Sequence, residues 1–501
     1  MKPYWWGIAL FGAVFLVLFA DRLGLIDRYR FQRALPSASA DAVAERDTWM
    51  NVYQNNRKIG FSHATLVREK GGLVTKQTLF MRINTMGMIQ EIQLNTQGWL
   101  NSDMTLSRFR FSLSSGRFDF TASGAVKGNR LVVQTKSVEA ARTLSVPLNA
   151  RPYLAEGVYD AIWAAGAEVG TRRVVPVFDP ASMGQEPVTV EVLGTEPLTV
   201  MGKTVQARKV ALEFRGVQQQ AWLGEGGEVL RQEGFLGISM EKTDRQGALY
   251  GVPVEASQDL TEAVSIASNV VFEHPADLKR LTVKISGIDA NRLGIDGGRQ
   301  RFDAGLLTVE KETLDHLPDT LPASARTSLA DPYLQPTPLI QADHPRIIKL
   351  AETIAGDAKT PLEIVRAMTD WIRSNIEPRP VISLPDALAT LENGIGDCNE
   401  HAVLMAALCR AAGIPTAIEA GLVYLRGRFF YHAWNRVFIG RWITVDALFG
   451  QIPADVTHIR LAEGSPEQQL DLMTVIGRVQ LHVLVPGDAA AASDEGPVPQ
   501  T

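Results

Sequence analysis

Apolar and polar positions alternate with a period of two along much of the first half of the chain. From Thr48 to about Ala248, short runs of strand-forming residues lie at 77–83, 88–96, 106–113, 117–122 and 131–135. Turn signals such as Gly71-Gly72, Ser115-Gly116 and Gly128-Asn129 separate them. The stretch 151–167 reads as a short helix. Strands resume at 173–178, 188–192, 205–214, 218–223 and 229–233. Strands at such spacing predict a large antiparallel sheet, curved or closed into a half-barrel. A smaller β-rich module is expected at 251–315, with its clearest strands at 281–288 and 306–309. Pro318, Pro322, Pro332, Pro336 and Pro338 then predict an extended linker over 316–342. Past it the period becomes helical, with two amphipathic helices over 345–376 and Trp371 and Ile372 on the buried face of the second.

The stretch 394–451 carries the candidate chemistry. Asp397 can cap a helix, Glu400 three residues on completes a capping box, and Gly413 and Pro415 stop it. Nearly every residue between is apolar, which predicts a helix buried on most sides. Cys398 falls in its first turn, where free backbone N–H groups and the helix dipole favour a thiolate. Residues 431–437 and 441–446 read as a hairpin around a three-residue loop, Phe438-Ile439-Gly440. That register sets His432 directly opposite Asp446. A slip of two residues keeps them diagonal on one face, and a slip of one parts them. Thiol, base and orienting carboxylate are the components of an activated nucleophile. His401, one helical turn from Cys398, is a rival base or a supporting residue. Cys398-x-x-His401 has no second ligand pair to make a zinc site. Cys409 lacks a partner and reads as a small buried hydrophobe.

Gly396-Asp397-Cys398 before a helix ending in Arg410-Ala-Ala-Gly-Ile-Pro415, then His432-Ala-Trp434, then Trp442-Ile-Thr-Val-Asp446, resembles the transglutaminase-like superfamily of papain-like cysteine enzymes. The likeness covers roughly 343–464. It implies a catalytic triad of Cys398, His432 and Asp446. Ala447-Leu448 departs from the Pro-Thr usual after the aspartate. Cross-linkers, peptidases, deamidases and inactive members share this pattern, so it implies a mechanism more narrowly than a substrate.

Net charge is −5, which argues against a general nucleic-acid binder. The 2 cysteines lie about 16 Å apart along one straight helix, too far for a disulfide, so they leave the redox compartment open. Residues 4–20 are uncharged and apolar, with Trp5 and Trp6 at one end. They read as an uncleaved signal anchor, at the short end for a span, with a cleaved signal peptide as the alternative. Arg22, Arg28, Arg30 and Arg33 after the span would by charge alone keep the bulk cytoplasmic. The resemblance implies an exported domain, so a bacterial inner-membrane protein with its bulk in the periplasm is expected. Met201-Gly202-Lys203-Thr204 imitates the end of a phosphate loop but lacks its first glycine.

The expectation is an α+β protein: an anchor at 1–21, a linker at 22–46, an antiparallel β-rich domain at 47–250 and a small β-rich module at 251–315. The Pro-rich linker at 316–342, a thiol domain at 343–485 and a disordered tail at 486–501 complete it. Peptide or glutamine amides are the expected substrates, with no cofactor and no metal. A non-catalytic binding or envelope scaffold, its β domain holding a lipid or protein partner, is the alternative.

Overall fold

The computed structural model describes residues 38–484 apart from 70, 117, 137–140, 181–183, 215–216, 252–258, 290–292, 322–329 and 465–474. The expected anchor, most of the first linker and the expected tail lie outside the described residues. Among the described residues no helix is long and apolar enough to cross a membrane. The chain forms two compact units. One comprises Met1–Arg82, Glu91–Ser114 and Asp119–Ser257, the other Ile83–Gln90, Ser115–Phe118 and Gln258–Thr501.

The first unit is built on one 15-stranded sheet with Arg46–Gln54 inside it. On one side of that strand the chain meanders outward in order, from Arg57–Glu69 to Ala141–Pro147. On the other side Ile238–Thr243 pairs with it, and the strands run back to Arg172–Asp179 and Tyr153–Leu154. The burial of Arg130–Lys136 alternates residue by residue, as a sheet with one face in a core requires. The sheet curls on itself. Phe109 and Phe178 lie on strands far apart in the sheet order, yet their rings are 4.9 Å apart. Leu106 N–H also donates to the Pro152 carbonyl at 2.7 Å. The helix expected at 151–167 is shorter. Pro152 fixes an extended start, Tyr153–Leu154 is a strand, and the helix is Val158–Ala164, ended by Gly166 at φ 60°.

Two large cores lie in the second unit among the described residues. In one, the helices Pro345–Ala355, Pro361–Asn375 and Cys398–Ala411 pack together. Residues 402–409 are all buried, so the Cys398 helix is enclosed along its length. Ala433, Val437, Ile443 and Val445 from the neighbouring strands face the same core. The second core joins Leu281, Val283, Leu307 and Val309 to Leu422, Tyr424, Phe429, Ile459 and Leu461. The expected small module therefore shares its core with the thiol domain. Its strand Arg280–Ser286 is also paired by Gln480–Val483 from the far end of the chain. The Pro-rich stretch is in part packed rather than a free linker. Leu317, Leu321 and Ile340 join the helical core, and buried Gln341 donates to Asp386 at 2.5 Å. Apolar residues between the prolines gain more from burial than from solvation.

Candidate active site

The Cys398–Ala411 helix begins as its sequence requires. Asp397 is the N-cap and accepts from Asn399 N–H at 2.8 Å. Glu400 reaches back to Asp397 N–H at 3.0 Å, which completes the capping box. Cys398 is thereby fixed as the first helical residue. Its thiol is not ready as it stands. Burial pushes it well above the usual thiol range, and the Asp397 carboxylate adds to this, as do Glu400 and Asp446. The Ala433 N–H opposes them by favouring the thiolate. Desolvation and the neighbouring carboxylates thus oppose the helix N-terminus, which favours the thiolate.

His432 lies on Arg428–Phe438, paired along its length with Thr416–Leu425 and at its end with Trp442–Val445. Phe438 pairs with Trp442 and Asn435 with Val445. The loop is therefore 439–441, one residue later than the expected Phe438-Ile439-Gly440, and the register moves by two. Ile439 is buried in the helical core, which carries Phe438 into the ladder. Gly440 takes φ 102° at the middle of the turn, where a Cβ would stand 2.2 Å from Pro318 Cδ. His432 and Asp446 are thus diagonal rather than directly opposite, on one face of the sheet. His432 Nε2 lies 2.6 Å from Asp446 Oδ2, both side chains buried. An ionised carboxylate only accepts, so Nε2 carries the proton and Nδ1 is left for other chemistry.

Asp446 is held from three sides. Oδ2 also accepts from His458 Nε2 at 3.0 Å, and Oδ1 accepts from Phe449 N–H at 2.8 Å. These partners keep its carboxyl far below the usual range in spite of burial. The Phe449 ring stacks on His432 with centroids 4.9 Å apart and 13° between planes. Trp434 donates its indole N–H to Glu419 at 2.8 Å, and Arg460 donates to the same carboxylate at 3.1 Å. His401 is buried and tied to its own helix, its Nδ1 2.7 Å from the Asp397 carbonyl. Burial pushes it toward the neutral form. Cys409 packs in the core with Sγ 3.7 Å from Met368 Sδ, and burial pushes its thiol up to about 12.

His432, Asp446 and His458 are the three groups, among the described residues, spaced closely enough to hold a metal ion. Ligand atoms sharing one ion at about 2.1 Å each stand roughly 3.3 Å apart in a tetrahedron. The 2.6 Å contact to Asp446 is a hydrogen bond instead, so we assign no metal ligands here. Sequence reasoning did not bring His458 to the site. The available signal was the run Ala454-Asp455-Val456-Thr457-His458, in which three polar residues sit inside a buried stretch.

A polar cavity of about 280 Å³ is lined by Arg299, Arg436, Arg460, Glu312, Glu419 and Trp442 among others. The donors of Arg299 and Arg460 are largely taken by backbone carbonyls and Glu419.

Comparison with known proteins bears on the same stretch. Residues 348–447 match the sequence profile of the Transglutaminase-like superfamily. No curated protein matches the chain. Among solved structures, a proposed cysteine protease from Cytophaga hutchinsonii is 19% identical with a TM-score of 0.28, over 43% of this chain and 81% of that one. A beta-barrel-like protein of a domain of unknown function from Brucella abortus is 14% identical with a TM-score of 0.32, over 40% of this chain and 97% of that one. A proposed protease from Parabacteroides distasonis is 11% identical with a TM-score of 0.20, over 65% of this chain and 63% of that one. Residues 348–447, from within the helix Pro345–Ala355 to the residue after Asp446, are a transglutaminase-like superfamily core.

Proposed function

We propose that the chain is a cysteine acyl-transfer enzyme in which Cys398, His432 and Asp446 act as a triad on peptide or glutamine amides. The observation that carries this reading is the 2.6 Å contact between His432 Nε2 and Asp446 Oδ2, both buried, with the N–H of Ala433, the next residue, favouring the thiolate of Cys398 at the start of a capped helix. Asp446 fixes the ring so that Nδ1 serves the thiol. Proton transfer to His432 gives a thiolate–imidazolium pair, the positive charge offsetting the burial and the carboxylates that hold the free thiol protonated. Sγ then attacks the amide carbonyl, and the backbone N–H of Cys398 helps to hold the oxyanion. The C–N bond breaks as His432 passes its proton to the leaving amine. Water or a second amine attacks the acyl-enzyme and returns the thiol.

A binding module without turnover is the second reading. What favours it is the resting thiol, pushed up by burial and Asp397. The full-length protein assayed for ammonia release from glutaminyl peptides, and for cleavage of casein, separates the two. Cys398→Ala and His432→Ala should abolish turnover. Asp446→Asn should lower kcat by about 10⁴, the effect of a lost orienting carboxylate. Turnover surviving in Cys398→Ala would remove the enzyme reading. The same reading takes residues 4–20 as a membrane anchor with the thiol domain on the periplasmic side, supported by the uncharged run beside Trp5 and Trp6. A peptide or protein substrate, and a lipid or envelope protein for the β-rich unit, are the partners this implies.

A further inference from the structure

We propose that His458 is a protonated positioning residue: an imidazolium clamped between Asp446 and Asp455 that holds the orienting carboxylate from behind and offsets the negative charge around Cys398. The inference rests on the triad proposed above and adds to it a residue outside the matched stretch 348–447.

The geometry leaves little choice of protonation. His458 is fully enclosed, at 0% exposure. Its Nε2 stands 3.0 Å from Asp446 Oδ2 and its Nδ1 3.3 Å from Asp455 Oδ1. A neutral imidazole has one N–H and one lone pair, so one of these contacts would set a lone pair against a carboxylate. The carboxylates are ionised, because other donors also hold them. Asp446 has His432 and Phe449 N–H. Asp455 has Thr457 N–H at 2.8 Å, Thr457 Oγ1 at 2.6 Å and Gln451 Nε2 at 3.0 Å. The two carboxylates, opposed by burial, push His458 upward. Arg299 fixes the loop that carries it by donating to the carbonyls of Ala454, Asp455 and His458.

The groups facing this imidazolium come from every element around it. Asp446 follows Trp442–Val445, and Asp455 is on its own loop. Across the sheet face stand His432, with ring centroids 5.8 Å away, and Trp434 at 5.2 Å edge-on. Phe449 covers it at 6.1 Å. Asp397, Glu400 and Cys398 lie beyond Asp446 on the helix, with His401 among them; Asp446 acts electrostatically on both Cys398 and His401. Without the charge on His458, the buried cluster around the thiol would hold Asp397 and Asp446 against His432 alone, since burial and Asp397 push the Glu400 carboxyl toward its neutral form. The clamp therefore has two effects. Asp446 cannot rotate away from His432, and every proton near it is held less tightly than the carboxylates alone would dictate.

Two measurements on the full-length protein test this. The first is ¹⁵N-histidine NMR in the Cys398→Ala background, where no turnover is needed. His458, assigned by its loss in His458→Gln, should keep both ring protons from pH 6 to pH 8. A neutral His458 at pH 6 would overturn the proposal. The second is iodoacetamide alkylation of Cys398 against pH. His458→Gln keeps a donor for Asp446 but no charge, and should raise the alkylation midpoint by about one pH unit, as loss of a nearby opposite charge does. Asp455→Asn, which leaves His458 in place but removes one of its two carboxylates, should let His458 lose a ring proton between pH 6 and pH 8 in the same NMR measurement. An unmoved alkylation midpoint in His458→Gln, or an unchanged His458 titration in Asp455→Asn, with far-UV circular dichroism unchanged, would sink the proposal while leaving the triad intact. If instead His432→Ala alkylates like the unsubstituted protein, it is the triad that fails.

Discussion

The two cysteines share one helix, and the contrast between them is a test at the scale of single residues. Both thiols are pushed upward by burial, Cys409 to about 12. Under the proposed triad only Cys398 has an imidazole partner. In the full-length protein Cys398 should react with iodoacetamide below the ordinary thiol value of about 8.5, and Cys409 should stay inert there. The sign follows from the shift. A raised thiol is protonated up to a higher pH, so reactivity below about 8.5 must come from a charged partner. His432→Ala should therefore carry the Cys398 midpoint above that value rather than back to it. A His432→Ala profile identical to that of the unsubstituted protein would remove His432 as the partner. That His432 and Asp446 share one face of the sheet was legible from their parity. That the thiol is disfavoured at rest was not, since that depends on its burial and on Asp446, which a distant stretch of chain brings in.

Among the elements, the strand Thr416–Leu425 sets the geometry of the site by pairing with the strand that carries His432 and with the strand that follows His458. Gly421 pairs with His432 on one flank and with Arg460 on the other, next to a bulge between Ala420 and Gly421. A Cβ at Gly421 would stand 1.9 Å from the Ile459 carbonyl oxygen and 2.9 Å from Leu461 N. Both are backbone atoms of the strand that follows His458, so neither can move alone. Gly421→Ala should cost roughly 1–3 kcal/mol or more in urea unfolding. It should also slow Cys398 alkylation by displacing the loop behind Asp446. Unchanged stability would mean that the close approach of these two strands is not as described. The hairpin shows the matching limit of sequence reasoning. Its two strands and the parity that puts His432 and Asp446 on one face follow from alternation. The register differs by two residues because burial of Ile439 in the helical core, not the turn sequence, sets where the ladder ends.

At the scale of the whole molecule, the membrane reading makes the prediction. Residues 4–20 are uncharged and flanked by aromatic residues, so the full-length protein should stay with membranes through washing at pH 11. Protease added to intact spheroplasts should then digest the thiol domain. Release at pH 11 would remove the anchor, and full protection in spheroplasts would reverse the orientation.

What the sequence determined by itself is what depends on neighbours within a few turns or strands. Alternation marked the strands of the first unit, capping residues fixed the start of the Cys398 helix, and the motif spacing identified the core at 348–447. What only the tertiary structure decided depends on groups far apart in the chain. Gln480–Val483 completes a sheet begun at Arg280–Ser286, which draws the expected small module into the thiol unit. The curling of the first sheet brings Phe109 to Phe178. His458 meets Asp446 through a loop that Arg299 pins by its carbonyls. Periodicity reports which face of an element is buried, but not which distant residue buries it. The charge of a site is a sum over such distant residues, so it could be read only once they had been brought together.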